Sequence, residues 1–430
     1  MHSRTRRLLT AAALTLLAVG CAAAFGASNA AAASQKAPKV HKISSCGYTA
    51  SSAGIYELTK NITDSGSGTC ITLHASNVTL YLDGHTITGT GSDICIYSEG
   101  GSSVLSKQSI IGGTVKKPTK VATLTGCEYG LYVYWTAGTM ASYLNIVSPT
   151  NDGVYEDYSS GMMLSHIGVP LHSNTADGFD LNYGANNTVT KSVVDNNSSD
   201  YGFFSEYEVG DSFTHDTVVD TYNSAGSSGY GFYDEYSSRN TFSHDSSKGQ
   251  YTGFYLYEDG YGPVTATYNS ATGPSTNSSS YGFFFEYDYQ ESDTASPYHT
   301  LVSHNKSTGF QYGFYDYTDT GDPVAEKWID NTADNYSEYG YYMNYPTDFI
   351  MTGNTADANT SGKKYTGGTT YGFFLDYVYS SYAFAKFSGN QSYDNQWGFY
   401  NVYPNGYMVG GKGNIAKRNQ YASYDVEVND

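Results

Sequence analysis

Aromatic and polar residues alternate in a short phrase, Tyr-Gly-Phe-aromatic, that recurs along the chain from Tyr129 onward. Its glycines are Gly130, Gly153, Gly178, Gly202, Gly231, Gly253, Gly282, Gly313, Gly340, Gly372 and Gly398. Successive copies lie 22 to 32 residues apart. A rigid two-helix repeat would not tolerate this variation, so the spacing favours a coil whose turns accept insertions.

Each copy has the composition of a β-strand. Segments such as 231–236, 282–287 and 372–377 are short, rich in aromatic residues and bounded by Ser, Asn, Thr and Gly. After the first 34 residues, no segment shows the 3.6-residue period of a helix. The pattern therefore predicts an almost entirely β structure.

Because alternate residues of a strand face opposite ways, the copies can be aligned from their glycines into columns. The position after the glycine is predicted to face the interior, and it holds Leu131, Val154, Phe179, Phe203, Phe232, Phe254, Phe283, Phe314, Tyr341, Phe373 and Phe399. The next position is predicted to face outward, and it holds Tyr132, Tyr155, Asp180, Phe204, Tyr233, Tyr255, Phe284, Tyr315, Tyr342, Phe374 and Tyr400. Two residues further on, the same outer face carries Tyr134, Asp157, Asn182, Glu206, Glu235, Tyr257, Glu286, Tyr317, Asn344, Asp376 and Val402.

Asparagine or aspartate recurs before the glycine strands, at Asp216, Asp245, Asn269, Asn305, Asn331, Asn354 and Asn390. These residue types tolerate left-handed backbone and hydrogen-bond readily to nearby backbone groups. We expect each one to lie at a turn and to bond to its equivalent one coil away. Such bonds would satisfy the polar groups of a buried turn.

The charge balance disfavours two kinds of partner. The 430 residues contain 41 Asp and Glu against 22 Lys and Arg, a net charge of −19. This charge repels phosphate backbones and anionic lipid, so we expect neither nucleic acid nor a membrane surface as a partner.

Residues 1–34 have the pattern of a signal peptide, with arginines before an apolar run and small residues after it. We expect a secreted protein, and Cys21 offers lipoprotein anchoring as the alternative. No later stretch is apolar over the ~18 residues that a membrane span requires.

Four further cysteines, Cys46, Cys70, Cys95 and Cys127, all precede residue 130. An even number in an exported chain favours disulfides, and sequence leaves three connectivities open. We favour Cys46 with Cys70 and Cys95 with Cys127, and buried free thiols are the alternative.

The repeat, with its Asn turn and Gly-aromatic strand, resembles the right-handed parallel β-helices of the pectate-lyase-like superfamily. Segments 55–58, 70–73 and 77–89 resemble the first coils of exported actinobacterial members. The resemblance implies an all-β, single-stranded right-handed parallel β-helix, a solenoid of about 13 coils. Residues 35–129 would form disulfide-stapled coils that continue into the repeat of 130–430. The superfamily includes lyases, hydrolases, epimerases and inert adhesins, so the fold alone implies no chemistry.

Flat rings beside hydrogen-bonding groups suit the apolar faces and polar rims of sugars. The predicted partner is therefore an extended polysaccharide, bound through Tyr155, Phe204, Tyr233, Glu235, Tyr255 and Asn182. The alternative is that ring contacts between neighbouring strands only stabilise the sheet.

Asp180 is the one outward position in its column without an aromatic ring. Crowded carboxylates push one pKa upward, which separates an acid from a base at neutral pH. Asp180 is thus the candidate catalytic acid or base, with Asp157 or Glu206 as its partner. A plain surface aspartate is the alternative reading.

Basic residues are too scarce on the outer columns to neutralise a uronate, and this favours a neutral or cationic glycan over pectate or alginate. His215 and His244 could ligate a metal on consecutive coils, although a structural role is favoured. Asp316, Asp319 and Asp322 form an acidic segment that suits Ca²⁺, the only cofactor the sequence suggests. A solvated acidic loop is the alternative there.

Three functions follow in order of preference. The first is a secreted β-helix that binds, and as a glycoside hydrolase cleaves, a neutral glycan. The second is a non-catalytic surface or coat adhesin, and the third is a Ca²⁺-assisted polysaccharide lyase or epimerase. Walls around the outer face, formed by insertions near 217–230, 270–281 and 355–371, would favour a ligand site.

Overall fold

The structure is a computed structural model. It describes residues 39–66, 68–101, 103–171, 177–195, 201–220, 229–258, 262–274, 280–287, 300–318, 326–344, 349–359, 368–376, 384–402, 411–424 and 426. The predicted signal peptide lies outside the described residues, as do the central parts of the three insertions. The described ranges contain strands and turns but no helix.

The eleven recurring glycine segments are consecutive strands of one parallel sheet, which has 15 strands among the described residues and in which each strand pairs with the next one along the chain. We call it the aromatic sheet. Its strands are Tyr48–Ala50, Thr69–Leu73, Ile94–Glu99, Tyr129–Tyr134, Asp152–Asp157, Asp177–Asn182, Tyr201–Glu206, Tyr230–Ser237, Thr252–Glu258, Tyr281–Tyr287, Tyr312–Thr318, Tyr339–Asn344, Tyr371–Asp376, Trp397–Asn401 and Tyr421–Tyr424.

The rest of each coil adds shorter parallel strands, 26 of which join into a second sheet that bends around the coil. These strands are Val40–Ile43, Gly54–Leu58, Ile62–Thr63, Val78–Tyr81, Thr86–Thr88, Ser109–Ile111, Ala122–Thr125, Met140–Val147, Met163–Pro170, Thr188–Thr190, Val193–Asp195, Ser212–Thr214, Thr217–Val219, Thr241–Ser243, Ser246–Lys248, Thr265–Thr267, Ser270–Thr272, Thr300–Ser303, Lys306–Thr308, Glu326–Ile329, Thr332–Asp334, Phe349–Thr352, Thr355–Asp357, Phe384–Ser388, Gln391–Tyr393 and Ile415–Lys417. A separate pair is formed by Leu105–Ser106 and Thr136–Ala137. Stacked coils of parallel strands make a β-solenoid, so the predicted parallel β-helix is confirmed.

The interior column predicted from the sequence forms the core. Its rings are buried and stack coil upon coil; Phe232 and Phe254, for example, have centroids 4.7 Å apart and planes 2° apart. The glycine beside each ring is required by close packing. A Cβ on Gly202 would lie 2.5 Å from a methyl carbon of Val218 and 2.7 Å from the carbonyl oxygen of Gly231. Glycine thus lets the opposite wall of the coil approach the aromatic sheet.

The Asn and Asp residues form the expected ladder along one corner. The backbone N–H of Asn305 donates to the side-chain oxygen of Asn331 at 2.9 Å, and Asn331 donates likewise to Asn354 at 2.9 Å. All members are buried. One detail differs from expectation, because the left-handed residue is the one before each ladder member, such as His304 with φ 57°. The side chain of the ladder residue can then point inward and reach the next coil.

Both disulfides expected from the sequence are confirmed. Cys46 bonds to Cys70 and Cys95 bonds to Cys127. Each bond closes a loop of 24 or 32 residues, which is about the length of one repeat. The two bonds therefore staple the N-terminal coils.

Two positions of the corner ladder carry a carboxyl group instead of an amide, and this predicts a pH-dependent stability. Burial raises the pKa of Asp216 to about 7 and raises the pKa of Asp245 well above its usual value. Between about pH 4 and pH 7 the folded chain holds more protons than the unfolded chain, so the free energy of unfolding falls as pH rises. Replacing Asp245→Asn should raise the thermal midpoint at about pH 8 and change it little at about pH 5.

The reciprocal variant is the matched control. Asn331→Asp introduces a buried carboxyl into the same ladder and should lower the thermal midpoint more at about pH 8 than at about pH 5. Calorimetry of both variants at the two pH values measures this. Equal shifts at both pH values would contradict the assignment.

Candidate functional site

The outer face of the aromatic sheet carries two columns of rings, one before and one after the column of glycines. In the C-terminal coils the rings of each column lie parallel, with Tyr312 and Tyr339 5.3 Å and 11° apart and Tyr315 and Tyr342 4.7 Å and 8° apart. Rings of different columns lie perpendicular, at 88° for Tyr312 and Tyr315. This herringbone packs the faces of the rings against the faces and edges of neighbouring rings.

Three aspartates interrupt both columns at one place. Asp152 and Asp177 take ring positions before the glycine, and Asp180 takes a ring position after it. In register, Asp152 follows Tyr129, and Asp180 lies between Tyr155 and Phe204. We call this interruption the aspartate gap. The aspartate side chain is much shorter than that of tyrosine. The outer surface of the sheet is therefore recessed at the gap, between the rings that precede it and the rings that follow it.

The carboxyl groups of the gap lie close together. One oxygen from each of Asp152, Asp177 and Asp180 lies within 4.8 Å of the others. Backbone donors hold two of them: Asp177 N–H donates to Asp152 Oδ1 at 3.2 Å, and Tyr201 N–H donates to Asp177 Oδ1 at 2.9 Å. These bonds favour the charged form of the two carboxylates.

Asp180 has a different environment. Its pKa is raised to about 8, first by burial and then by the charges of Asp152 and Asp177, while a hydrogen bond from the Asn182 amide opposes the rise. Asp180 therefore carries a proton at neutral pH beside two acidic neighbours. A carboxyl that keeps its proton near neutral pH can act as a general acid, and neighbouring carboxylates are one means of keeping it protonated.

The partners predicted for Asp180 lie one coil away on either side. Asp157 pairs in register with Asn182, and Asn182 pairs with Glu206, so the two acids flank Asn182. Burial raises the pKa of both Asp157 and Glu206. Glu206 also helps to raise the pKa of Asp180. Their catalytic roles stay a prediction.

The residues predicted to bind substrate fall into two groups. Tyr155 and Phe204 border the aspartate gap, where the coil between them offers no ring. Tyr233 and Tyr255 stack on each other, with centroids 4.5 Å and planes 4° apart, and Tyr255 donates its hydroxyl to Glu286. Ring faces are therefore most available beside the gap.

The other two predicted substrate ligands differ in exposure. Asn182 is buried and holds Asp180, whereas Glu235 is partly exposed and interacts with the Tyr233 hydroxyl. Asn182 is thus placed to position Asp180, and Glu235 lies on the open surface.

The residues predicted to bind metal do not form one group of converging ligands among the described residues. Asp316 is fully buried inside the coil, on a strand rather than in a loop, while Asp319 and Asp322 lie outside the described residues. His215 and His244 stack with centroids 4.9 Å and planes 4° apart. Their in-plane nitrogen lone pairs run parallel and do not converge on one ion.

Sequence reasoning missed Asp152 and Asp177. The signal was present, because the residue before the glycine is Tyr or Trp in most copies and Asp in two consecutive copies. This signal lies in the column before the glycine, and the columns two and four residues after the glycine do not contain it.

Comparison with known proteins gives a family model and structural neighbours. Residues 106–273 match the family described as periplasmic copper-binding protein (NosD). No curated protein matches the chain.

Solved structures similar to the chain include three sugar-related proteins. The Azotobacter vinelandii mannuronan C-5 epimerase AlgE4 A-module has 15% identity and a TM-score of 0.40, over 86% of this chain and 89% of that chain. The endo-xylogalacturonan hydrolase from Aspergillus tubingensis has 12% identity and a TM-score of 0.36, over 83% and 92%. The tailspike of E. coli bacteriophage HK620, in complex with a pentasaccharide, has 11% identity and a TM-score of 0.40, over 90% and 73%.

A copper site requires sulfur or imidazole ligands that converge. Within the described part of residues 106–273, Cys127 is in a disulfide, and the group of carboxylates in the aspartate gap contains oxygen alone. That carboxylate group therefore lacks the soft sulfur and imidazole ligands that copper prefers. Across all the residues that the structure describes, no helix is long and apolar enough to cross a membrane.

The geometry of the gap predicts how Asp180 titrates. Replacing Asp152→Asn removes one neighbouring charge and should lower the pKa of Asp180 from about 8. Isotope-edited NMR of aspartate carboxyl carbons, assigned with Asp180→Asn, measures the shift. Asp330→Asn is the control, since its side chain is 55% exposed, and it should leave Asp180 unchanged. Titration of Asp180 near its ordinary pKa would contradict the assignment.

Proposed function

We propose that the protein is an exported, carbohydrate-active β-helix that binds an extended neutral glycan across the aspartate gap and hydrolyses it there. The observation that carries this proposal is the gap itself. A protonated carboxyl lies there beside two acidic neighbours, at the point where both columns of rings stop. Ring faces and acid–base chemistry thus meet at one place on the sheet.

The gap has the size of a sugar. Tyr155 and Phe204 are two coil steps apart, about 10 Å at a strand spacing of about 4.8 Å. One pyranose ring can lie between them, with its apolar face against an aromatic ring and its hydroxyls near Asp157 and Glu206. Further sugar units would extend along the solenoid over ring edges and tyrosine hydroxyls, which accept and donate hydrogen bonds.

The chemistry follows from the protonation states. Asp180 would donate its proton to the glycosidic oxygen, and a neighbouring carboxylate would stabilise or attack the anomeric carbon. Asp152 or Asp177, with oxygens within 4.8 Å of Asp180, leaves little room for a water and fits a retaining reaction. With Asp157 or Glu206 as the second group, inversion would require that its carboxyl stand ~6.5–9.5 Å from that of Asp180.

The charge of the surface points to a neutral substrate. The outer columns contain no lysine or arginine at the positions before, two after and four after the glycine. A polyuronate would therefore meet carboxylates without a compensating cation. Export is part of the proposal, because two disulfides form and persist in oxidising compartments.

A non-catalytic adhesin or coat protein is the second candidate. The herringbone of the C-terminal coils supports it, because rings that pack on one another stabilise the sheet without any ligand. A Ca²⁺-assisted lyase or epimerase ranks third.

Hydrolysis is tested on a panel of neutral, cationic and uronic glycans, with reducing ends measured for cleavage and ultraviolet absorbance for the unsaturated product of a lyase. We expect new reducing ends on a neutral glycan and a fall of about 10²-fold or more for Asp180→Asn. Asp330→Asn should retain full activity. Binding without turnover on every glycan, unaffected by Asp180→Asn, would leave the adhesin as the function.

A further inference from the structure

A separate ladder of rings lies at the corner where the aromatic-sheet strands end. Its tyrosines are Tyr158, Tyr183, Tyr207 and Tyr236. Neighbouring centroids are 5.1, 4.9 and 5.2 Å apart, and neighbouring planes differ by 17°, 14° and 12°. The first three side chains are 51%, 48% and 40% exposed, so their hydroxyl edges reach solvent. We call this set the corner tyrosines.

The backbone of the corner tyrosines is strained. Their φ angles are 53°, 58°, 55° and 51°, in the left-handed region. A bulky residue there costs roughly 1–2 kcal/mol, and glycine or asparagine would relieve that cost. Ring stacking offsets part of it. Trp135 occupies the same corner one coil earlier with φ 52°, so the repeated strain indicates that a flat aromatic side chain is favoured here, and four consecutive coils supply it as tyrosine.

Stacked, exposed phenols have one distinctive covalent chemistry, which is oxidative coupling. We propose that the corner tyrosines are a site of dityrosine cross-linking between adjacent coils, with hydrogen peroxide and a peroxidase as the oxidising system. Each of two tyrosines loses one electron and its phenolic proton. The two phenoxyl radicals then form a carbon–carbon bond between ring positions ortho to the oxygens. The ring hydrogens move to the oxygens and restore both phenols, and one peroxide is reduced to two waters.

The position of Tyr183 in the ladder favours coupling, because a radical formed there has a stacked partner ring in either direction. Tyr183 is central in the ladder, with a tyrosine on each side.

The product would staple the middle coils as the disulfides staple the first ones. Both disulfides lie before residue 130, and the corner tyrosines lie after it. A bond between neighbouring coils restricts the unfolded chain in the same way as a disulfide of equal loop length. This inference does not depend on glycan binding, and its readout is independent of hydrolysis.

The aspartate gap makes a cross-link between Tyr183 and Tyr207 easy to identify in a tryptic digest. Tryptic cleavage after Lys120, Lys191 and Arg239 gives peptides 121–191 and 192–239. Among described residues, Tyr183 with Tyr207 is the tyrosine contact that joins these peptides, because aspartates replace the other tyrosines of that coil. After oxidation of the folded full-length protein with peroxidase and peroxide, followed by disulfide reduction and trypsin, we expect the two peptides joined by dityrosine in monomeric protein.

Two phenylalanine variants are matched to each other. Tyr183→Phe with Tyr207→Phe keeps the stacked rings and should abolish the joined peptide. Tyr268→Phe is the control, because Tyr268 is 53% exposed in a left-handed corner but stacks between His244 and His304. It should leave the yield unchanged. Absence of the joined peptide, its persistence in the double variant, or an equal yield from urea-unfolded protein would overturn the proposal.

Discussion

Every feature described above depends on one constraint, the in-register stacking of equivalent residues one strand spacing apart. Parallel strands repeat at about 4.8 Å, and a flat side chain repeated at that distance meets its own copy in the next coil. Phenylalanines then stack in the core, asparagines form a hydrogen-bonded corner and tyrosines pack on the outer face. Glycine makes this possible where the opposite wall approaches the aromatic sheet, as at Gly202.

The same constraint explains why function is expected at an interruption. A continuous ladder uses its ring faces on itself, so Tyr312, Tyr315 and their neighbours have little face left for a ligand. At the aspartate gap no ring lies between Tyr155 and Phe204 in register, and burial with neighbouring charges raises the pKa of Asp180. In the proposed function, this single local break in a repetitive structure supplies both the binding surface and the acid.

Much of the fold could be predicted because a repeat fixes period, face and neighbour together. The interior position of Phe232 and the Asn331 ladder follow from spacing and alternation. The cysteine spacing left three connectivities open, and the structure selects Cys46 with Cys70. The left-handed residue before each ladder member did not follow, because local turn geometry is set by the inward side chain that comes after it. Asp316 was expected in an acidic loop, whereas the alternation of its strand directs it inward.

The candidate site could be predicted only in part. Asp180 was identifiable because it breaks one column, but the proximity of Asp152 and Asp177 comes from strands that stack across coils. Which carboxyl group of the aspartate gap keeps the proton depends on its burial and on the charges of residues in adjacent coils. Neither quantity can be read from the spacing of residues in the sequence. In the proposed function, the substrate would be selected by the shape of the gap, which no motif encodes.

Restoring the rings tests the central claim most directly. The triple variant Asp152→Tyr, Asp177→Tyr and Asp180→Tyr should continue both columns through the aspartate gap, as in the neighbouring coils. Its thermal midpoint and its binding to the neutral glycan would be measured together by calorimetry. The account predicts a folded protein of equal or higher thermal midpoint that no longer binds the glycan. A folded variant that still binds it with unchanged affinity would contradict the account.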